Sequence, residues 1–168
     1  MIPDELLGRH DVPTATDMEN LGRRIGAHLE AGDLVVLTGP LGAGKTTLTR
    51  GLADALGVRG PIQSPTFVIA RTHPSLVGGA PLVHADAYRL SSALELDDLD
   101  IDVDGSVVVM EWGRDKIEGL REVWWDVEIT RPMGGRGSDT MCGDLSRASA
   151  ELDADAPRIV VIEKRTAA

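Results

Sequence analysis

The chain is short of positive charge, of cysteine and of long apolar runs, and each shortage removes a class of protein. Lysine and arginine number 17 against 27 acidic residues, a formal charge of −10. A protein that grips nucleic acid unaided needs a basic surface to neutralise phosphates, so any RNA served by this chain is expected to be held by a partner. Only Lys45, Lys116 and Lys164 are lysines, and none lies in the Asn/Thr-Lys-x-Asp pattern that reads guanine. The lone cysteine, Cys142, cannot form an internal disulfide, which fits a reducing compartment. No 18 apolar residues run together, and the segment from Met1 to Val12 has scattered charges and no apolar h-region. The expectation is a cytoplasmic protein without a membrane span. With 42% hydrophobic residues in 168, residues 1–168 read as a single domain with its own core.

What is present is a phosphate-binding pattern. Gly39-Pro40-Leu41-Gly42-Ala43-Gly44-Lys45-Thr46 fits G-x-x-x-x-G-K-[ST]. Before it, Leu34-Val35-Val36-Leu37-Thr38 has the length of a buried strand; after it, Leu48, Leu52 and Leu56 recur at helical spacing, with Gly57 as the cap. Glycines let the backbone approach phosphates, and the positive end of the following helix faces the same anion. Lys45 is expected to reach the β- and γ-phosphates, and the Thr46 hydroxyl to ligate Mg²⁺.

The rest of the chain arranges itself around this loop. An edge strand is expected near His10-Asp11-Val12. A helix follows, opened by the capping box Thr16-Asp17-Met18-Glu19, striped by Met18, Leu21, Ile25 and Leu29, and ended at Gly32-Asp33. Ser64-Pro65-Thr66-Phe67 stands before a strand over Thr66 to Arg71, where nucleotide hydrolases often keep a switch segment. His73 to Ala80 reads as a loop, Leu82 to Asp86 as a strand ending in a carboxylate, and Ser91 to Leu99 as a short acidic helix. Strands are also expected over Val123 to Arg131 and Pro157 to Lys164. The Gly-, Ser- and Asp-rich segment 132–156 between them reads as a mobile loop, with Arg131 or Arg136 placed to fold over the phosphates.

Asp100, Asp102, Asp104, Gly105 and Glu111 match the EF-hand calcium loop position by position. The context argues otherwise. An EF-hand needs a helix leaving the loop, whereas Val107-Val108-Val109-Met110 is β-branched and apolar and Gly113 follows closely. The better reading makes Ser106 to Met110 a buried strand that delivers Glu111 to the nucleotide site, where a carboxylate can hold a metal-bound water or orient the attacking one. Trp112 reads more simply as core than as a base-stacking residue.

Together these motifs resemble the bacterial TsaE (YjeE-type) family, ATPases of threonylcarbamoyladenosine synthesis on tRNA. The matching pieces are Leu41-Gly42-Ala43-Gly44-Lys45-Thr46-Thr47, Ser64-Pro65-Thr66-Phe67, His84-Ala85-Asp86-Ala87-Tyr88-Arg89-Leu90, Glu95-Leu96 and Glu111-Trp112-Gly113. The resemblance covers roughly Thr14 to Arg131. It implies an α/β, P-loop NTPase-like three-layer sandwich, with a mixed, mostly parallel central sheet flanked by helices and a C-terminal β-hairpin. It also implies ATP and Mg²⁺ as cofactors, and a TsaD–TsaB complex as the partner through which tRNA is reached. ATP contacts carry over onto Gly39, Leu41, Gly42, Ala43, Gly44, Lys45, Thr46 and Thr47, metal and catalytic roles onto Thr46, Asp86 and Glu111, and a switch role onto Thr66. The family's C-terminal arginine maps to Arg136. Three departures stand out: Pro40 and Arg114 where the family commonly has acidic residues, and the length of 132–156.

A small-molecule kinase with Arg131 and Arg136 on a lid is the main rival, although lid kinases spread several arginines over the phosphates. A nucleotide-gated adaptor would keep the same loop but would not need Glu111. If Asp100, Asp102 and Asp104 are only a solvated acidic turn, micromolar Ca²⁺ will leave the melting temperature unchanged, while Mg²⁺ with ATP raises it through linkage. A Ca²⁺-induced rise without nucleotide, read by thermal denaturation, would restore the EF-hand.

Overall fold

A computed structural model describes residues 2–65, 68–89, 101–117, 120–131 and 156–167. The strands are β1 (Gly8–Val12), β2 (Leu34–Thr38), β3 (Ala70–His73), β4 (Leu82–Asp86), β5 (Val107–Glu111), β6 (Val123–Thr130) and β7 (Arg158–Thr166). They form one seven-stranded sheet in the order β1-β7-β6-β2-β5-β4-β3. Parallel pairing joins β6, β2, β5 and β4. At the flanks β7 lies antiparallel to both β6 and β1, and β3 antiparallel to β4. The fold is thus the expected α/β architecture with a mixed sheet, and β6 and β7 make the C-terminal antiparallel pair.

The central strands are apolar on both faces because both faces are covered. Two helices, α1 (Ala15–Gly26) and α2 (Lys45–Leu56), lie on one side. There Met18, Leu21, Ile25, Leu48 and Leu52 pack against Val35, Leu37, Val109 and Val127. On the other side Leu34, Val36, Val108 and Met110 meet Ile101, Val103, Ile117, Leu120 and Trp124. The acidic helix expected over Ser91–Leu99, with Glu95-Leu96, lies outside the described residues, as does all of the expected loop but Ala156. Among the described residues no helix is long and apolar enough to cross a membrane.

Four boundaries differ from the sequence reading. Helix α1 is capped by Thr14 rather than Thr16: the Thr14 hydroxyl accepts from the Asp17 amide at 3.1 Å and donates to its carboxylate at 2.6 Å. The same Thr-x-x-acid spacing occurs two residues earlier, and Thr14 has the extended backbone a cap requires. The helix ends at Gly26, and a turn tucks Leu29 into the core. Strand β3 begins at Ala70 instead of Thr66, because the Val68 and Ile69 amides turn back to the Pro65 carbonyl and Ile69 has φ of 67°, outside strand geometry. His73, expected in the following loop, belongs to this strand. The acidic run behaves as a turn: the Gly105 amide donates to Asp102 at 2.9 Å, Asp104 pairs with Arg121 at 2.8 Å, and the chain then enters β5 without a helix. Asp100 lies outside the described residues.

Helices α1 and α2 approach so closely that glycines are required between them. A Cβ on Gly22 would run into the Leu48 carbonyl, and one on Gly51 into the Glu19 carbonyl, both backbone atoms that cannot step aside alone. Gly51→Ala is therefore expected to destabilise the fold by about 1–3 kcal/mol, the usual cost of overpacking, despite alanine's better helix propensity. Chemical denaturation measures it, and an unchanged midpoint would refute this contact.

Candidate functional site

Strand β2 ends at Thr38, and the chain turns through Gly39 to Gly44 into α2. Gly42 and Gly44 have φ of 72° and 109°, left-handed values that glycine adopts without strain. Gly44 is the N-cap of α2 and offers no side chain, so the free amides of the first turn stay available to an anion. A Cβ on Gly39 would come within 2.6 Å of the Ile129 carbonyl, so the loop start is pressed against β6. Lys45, buried, donates to the carbonyls of Gly39 at 2.8 Å and Pro40 at 3.2 Å. Pro40 has no amide to give the loop, yet its carbonyl accepts from both Lys45 and the Ala43 amide.

Two carboxylates stand beside this loop. Asp86 and Glu111 are register partners at the carboxyl ends of β4 and β5, both buried, and Glu111 is also the partner of Leu37 on β2. Asp86 accepts from the Tyr88 amide at 2.9 Å, and Glu111 from His84 Nε2 at 2.8 Å. Burial lowers the Lys45 pKa below the ordinary lysine value, and the charges of Glu111 and Asp86 pull the other way. Thr46, Asp86 and Glu111 offer oxygen donors only. No group of three His, Cys, Asp or Glu forms a metal cage among the described residues. That donor set fits Mg²⁺, which takes one or two carboxylates and completes its shell with phosphates and water.

Trp112 departs from the core role. Its φ is 60°, and its indole lies over Lys45, 4.5 Å from Nζ to the ring centroid, with Tyr88 edge-on at 6.0 Å. Such a contact stabilises the ammonium electrostatically. Leu41, at the loop tip, is 93% exposed.

Two arginines also hold the loop. Arg131 donates to the Gly42 carbonyl at 2.8 Å, and Arg158 to Ala43 at 3.1 Å and Gly42 at 3.3 Å. Between Arg158 and α1 opens a cleft of about 240 Å³ lined by Thr14, Met18, Ala43, Thr47, Arg50 and Arg158. A larger open groove of about 840 Å³ lies at the far end of the sheet. Its cations are engaged there, Arg121 with Asp104 and the Val103 carbonyl and Lys164 over Trp125, so it lacks the character of a phosphate site.

The structure thus brings Gly39, Leu41, Gly42, Ala43, Gly44, Lys45, Thr46 and Thr47 into one loop and helix start, beside Asp86 and Glu111. Thr66 and Arg136 lie outside the described residues. Sequence reasoning missed Arg158, and it quoted His84 without giving it a role. Both left a signal: each charged or polar side chain shares a strand face with core residues, Arg158 with Val160 and Ile162, His84 with Leu82.

A family model described as Threonylcarbamoyl adenosine biosynthesis protein TsaE matches residues 12–136. Proteins named tRNA threonylcarbamoyladenosine biosynthesis protein TsaE are similar over most of the chain. That of Streptomyces coelicolor is 61% identical over 120 residues, 70% of this chain and 81% of its own. That of Mycobacterium tuberculosis is 47% identical over 133 residues, 74% and 79% respectively. Among solved structures, YdiB of Bacillus subtilis superposes with a TM-score of 0.65 at 24% identity, covering 95% of this chain and 85% of that one, which supports the fold. Lys45→Ala is expected to lower ATP and ADP affinity at least about tenfold, the scale of a lost charge-assisted hydrogen bond. Unchanged affinity by calorimetry would remove Lys45 from phosphate binding.

Proposed function

The chain belongs to the TsaE family, and from that premise we propose that it binds Mg²⁺–ATP and hydrolyses it in support of threonylcarbamoyladenosine modification of tRNA next to the anticodon. The observation that carries this reading is the pairing of Asp86 with Glu111 at the strand ends beside Lys45 and the loop from Gly39 to Thr46.

In this mechanism the loop amides and Lys45 cradle the β- and γ-phosphates, and Lys45 exchanges its Gly39 and Pro40 carbonyls for phosphate oxygens. The base and ribose rest in the cleft beside Met18, Thr14 and Arg158. Thr46, Asp86 and Glu111 would hold Mg²⁺, which supplies charge neutralisation as the terminal phosphoryl group departs. Asp86, fixed by the Tyr88 amide, would face the metal side. Glu111 orients the attacking water. Trp112 limits water around the Lys45 ammonium.

The kinase alternative loses ground because Arg131, one of the two arginines it would place on a lid, already grips a loop carbonyl. The acidic surface implies that tRNA is met through a partner, which we take to be a TsaD–TsaB complex in the cytoplasm. Completion of the site by that partner would make the isolated protein a weak ATPase.

Glu111→Gln keeps the shape and removes the charge. Nucleotide affinity should change little, while partner-stimulated hydrolysis falls about tenfold or more, because the missing interaction matters most in the transition state. The assay contains TsaD, TsaB and tRNA. Undiminished ATPase and tRNA modification would exclude Glu111 from the mechanism and favour an adaptor.

A further inference from the structure

One buried polar group serves neither the core nor, so far, the mechanism. His84 lies in the middle of β4, fully buried, opposite Val109 of β5 and Arg71 of β3. It precedes Asp86 by two residues and so shares its face. Its Nε2 sits 2.8 Å from Glu111 Oε1. An ionised carboxylate only accepts, so Nε2 carries the hydrogen and donates. Nδ1 is buried and has no partner among the described residues. A histidine kept for stability would satisfy a backbone group, as neighbouring His73 does with the Arg59 carbonyl at 2.8 Å. His84 instead turns its donor on the carboxylate of the proposed reaction.

The register shows what this bond accomplishes. Glu111 faces Asp86 directly across the parallel pair, and like charges in that relation repel. His84 stands diagonally behind, opposite Val109, so its donor draws one oxygen of Glu111 away from Asp86 and fixes the rotation of the carboxylate. Oε2 is left as the oxygen without that bond.

We propose that His84 is a positioning residue for Glu111, orienting its carboxylate for the metal and the attacking water. This rests on the Mg²⁺–ATP reading above and goes beyond it by naming what aims the carboxylate.

The test compares His84→Leu, which removes the donor, with His84→Gln, whose amide nitrogen can occupy the place of Nε2, and uses Glu111→Gln as reference. Three quantities are read: partner-stimulated kcat and KM for ATP, Mg²⁺-free ADP affinity by calorimetry, and the Mg²⁺ concentration that half-saturates ATP binding. His84→Leu should lose about tenfold or more in kcat and need several-fold more Mg²⁺, the usual scale for groups behind a metal ligand. Its Mg²⁺-free ADP affinity should stay within about twofold of the parent, and His84→Gln should recover most of the loss in kcat. Equal kcat and Mg²⁺ requirement in His84→Leu and the parent overturns the proposal, as does an equal fall in His84→Leu and His84→Gln. If the leucine variant fails to fold, His84→Asn takes its place, since its shorter amide cannot reach; parity with His84→Gln then overturns the proposal. An inactive Glu111→Gln beside an unimpaired His84→Leu refutes His84 alone, whereas an active Glu111→Gln refutes the underlying role of Glu111 and His84 with it.

Discussion

The site depends on the register of β2, β5 and β4. Leu37 faces Glu111 and Glu111 faces Asp86, so three parallel strands end level with one another at the edge where the glycine loop begins. A slip of one residue would carry Glu111 to the opposite face of the sheet. Apolar patterning alone does not forbid it, because Val107, Val108, Val109 and Met110 are buried on both faces and would remain apolar after a slip. What distinguishes this register is a side-chain bond: His84 donates to Glu111 across the β4–β5 pair. A slip would part them and leave both polar groups buried without that partner, and such groups are expensive in an interior.

The loop is fixed by its carbonyls. Lys45 takes those of Gly39 and Pro40, and Arg131 and Arg158 those of Gly42 and Ala43. A trans peptide points its C=O and the next N–H in opposite directions. Holding the Ala43 carbonyl on Arg158 therefore aims the Gly44 amide away from it, toward the helix start. Cations that hold loop carbonyls can in this way shape the cradle that receives an anion.

The strand, loop and helix around Lys45 were legible because their signals are local: an apolar run, glycines at fixed spacing, a four-residue leucine repeat. Asp86 and Glu111 were legible for a similar reason, each being a charge at the end of an apolar strand. Contacts between distant segments were not. Gly22 and Gly51 look like helix weaknesses until α1 is laid on α2, and Arg158 is separated from its loop by more than a hundred residues of chain. Trp112 was misjudged because its left-handed backbone, which sends the indole over Lys45, leaves no mark in composition. Arg114, a departure from the family pattern, has a physical answer in β6. It donates through Nε and Nη2 to Asp126, a buried carboxylate, and reaches Glu128 as well, tying the turn after Gly113 to the sheet. A basic residue in that turn is tolerated because an acid waits beneath it.

Charge at the site bears on the proposed chemistry by a separate route. Lys45 brings one positive charge into a place where burial already opposes it, while Asp86 and Glu111 bring two negative ones, a sum unfavourable to a polyphosphate. Helix α2 adds its positive end, worth only a fraction of a charge. Arg131 and Arg158 are turned onto loop carbonyls. On the Mg²⁺–ATP reading proposed above, a nucleoside triphosphate would meet net repulsion there unless a divalent cation accompanied it, and the same two carboxylates would favour the metal complex over bare nucleotide. A site built for phosphate alone would have no use for Glu111, and none for the histidine that holds it.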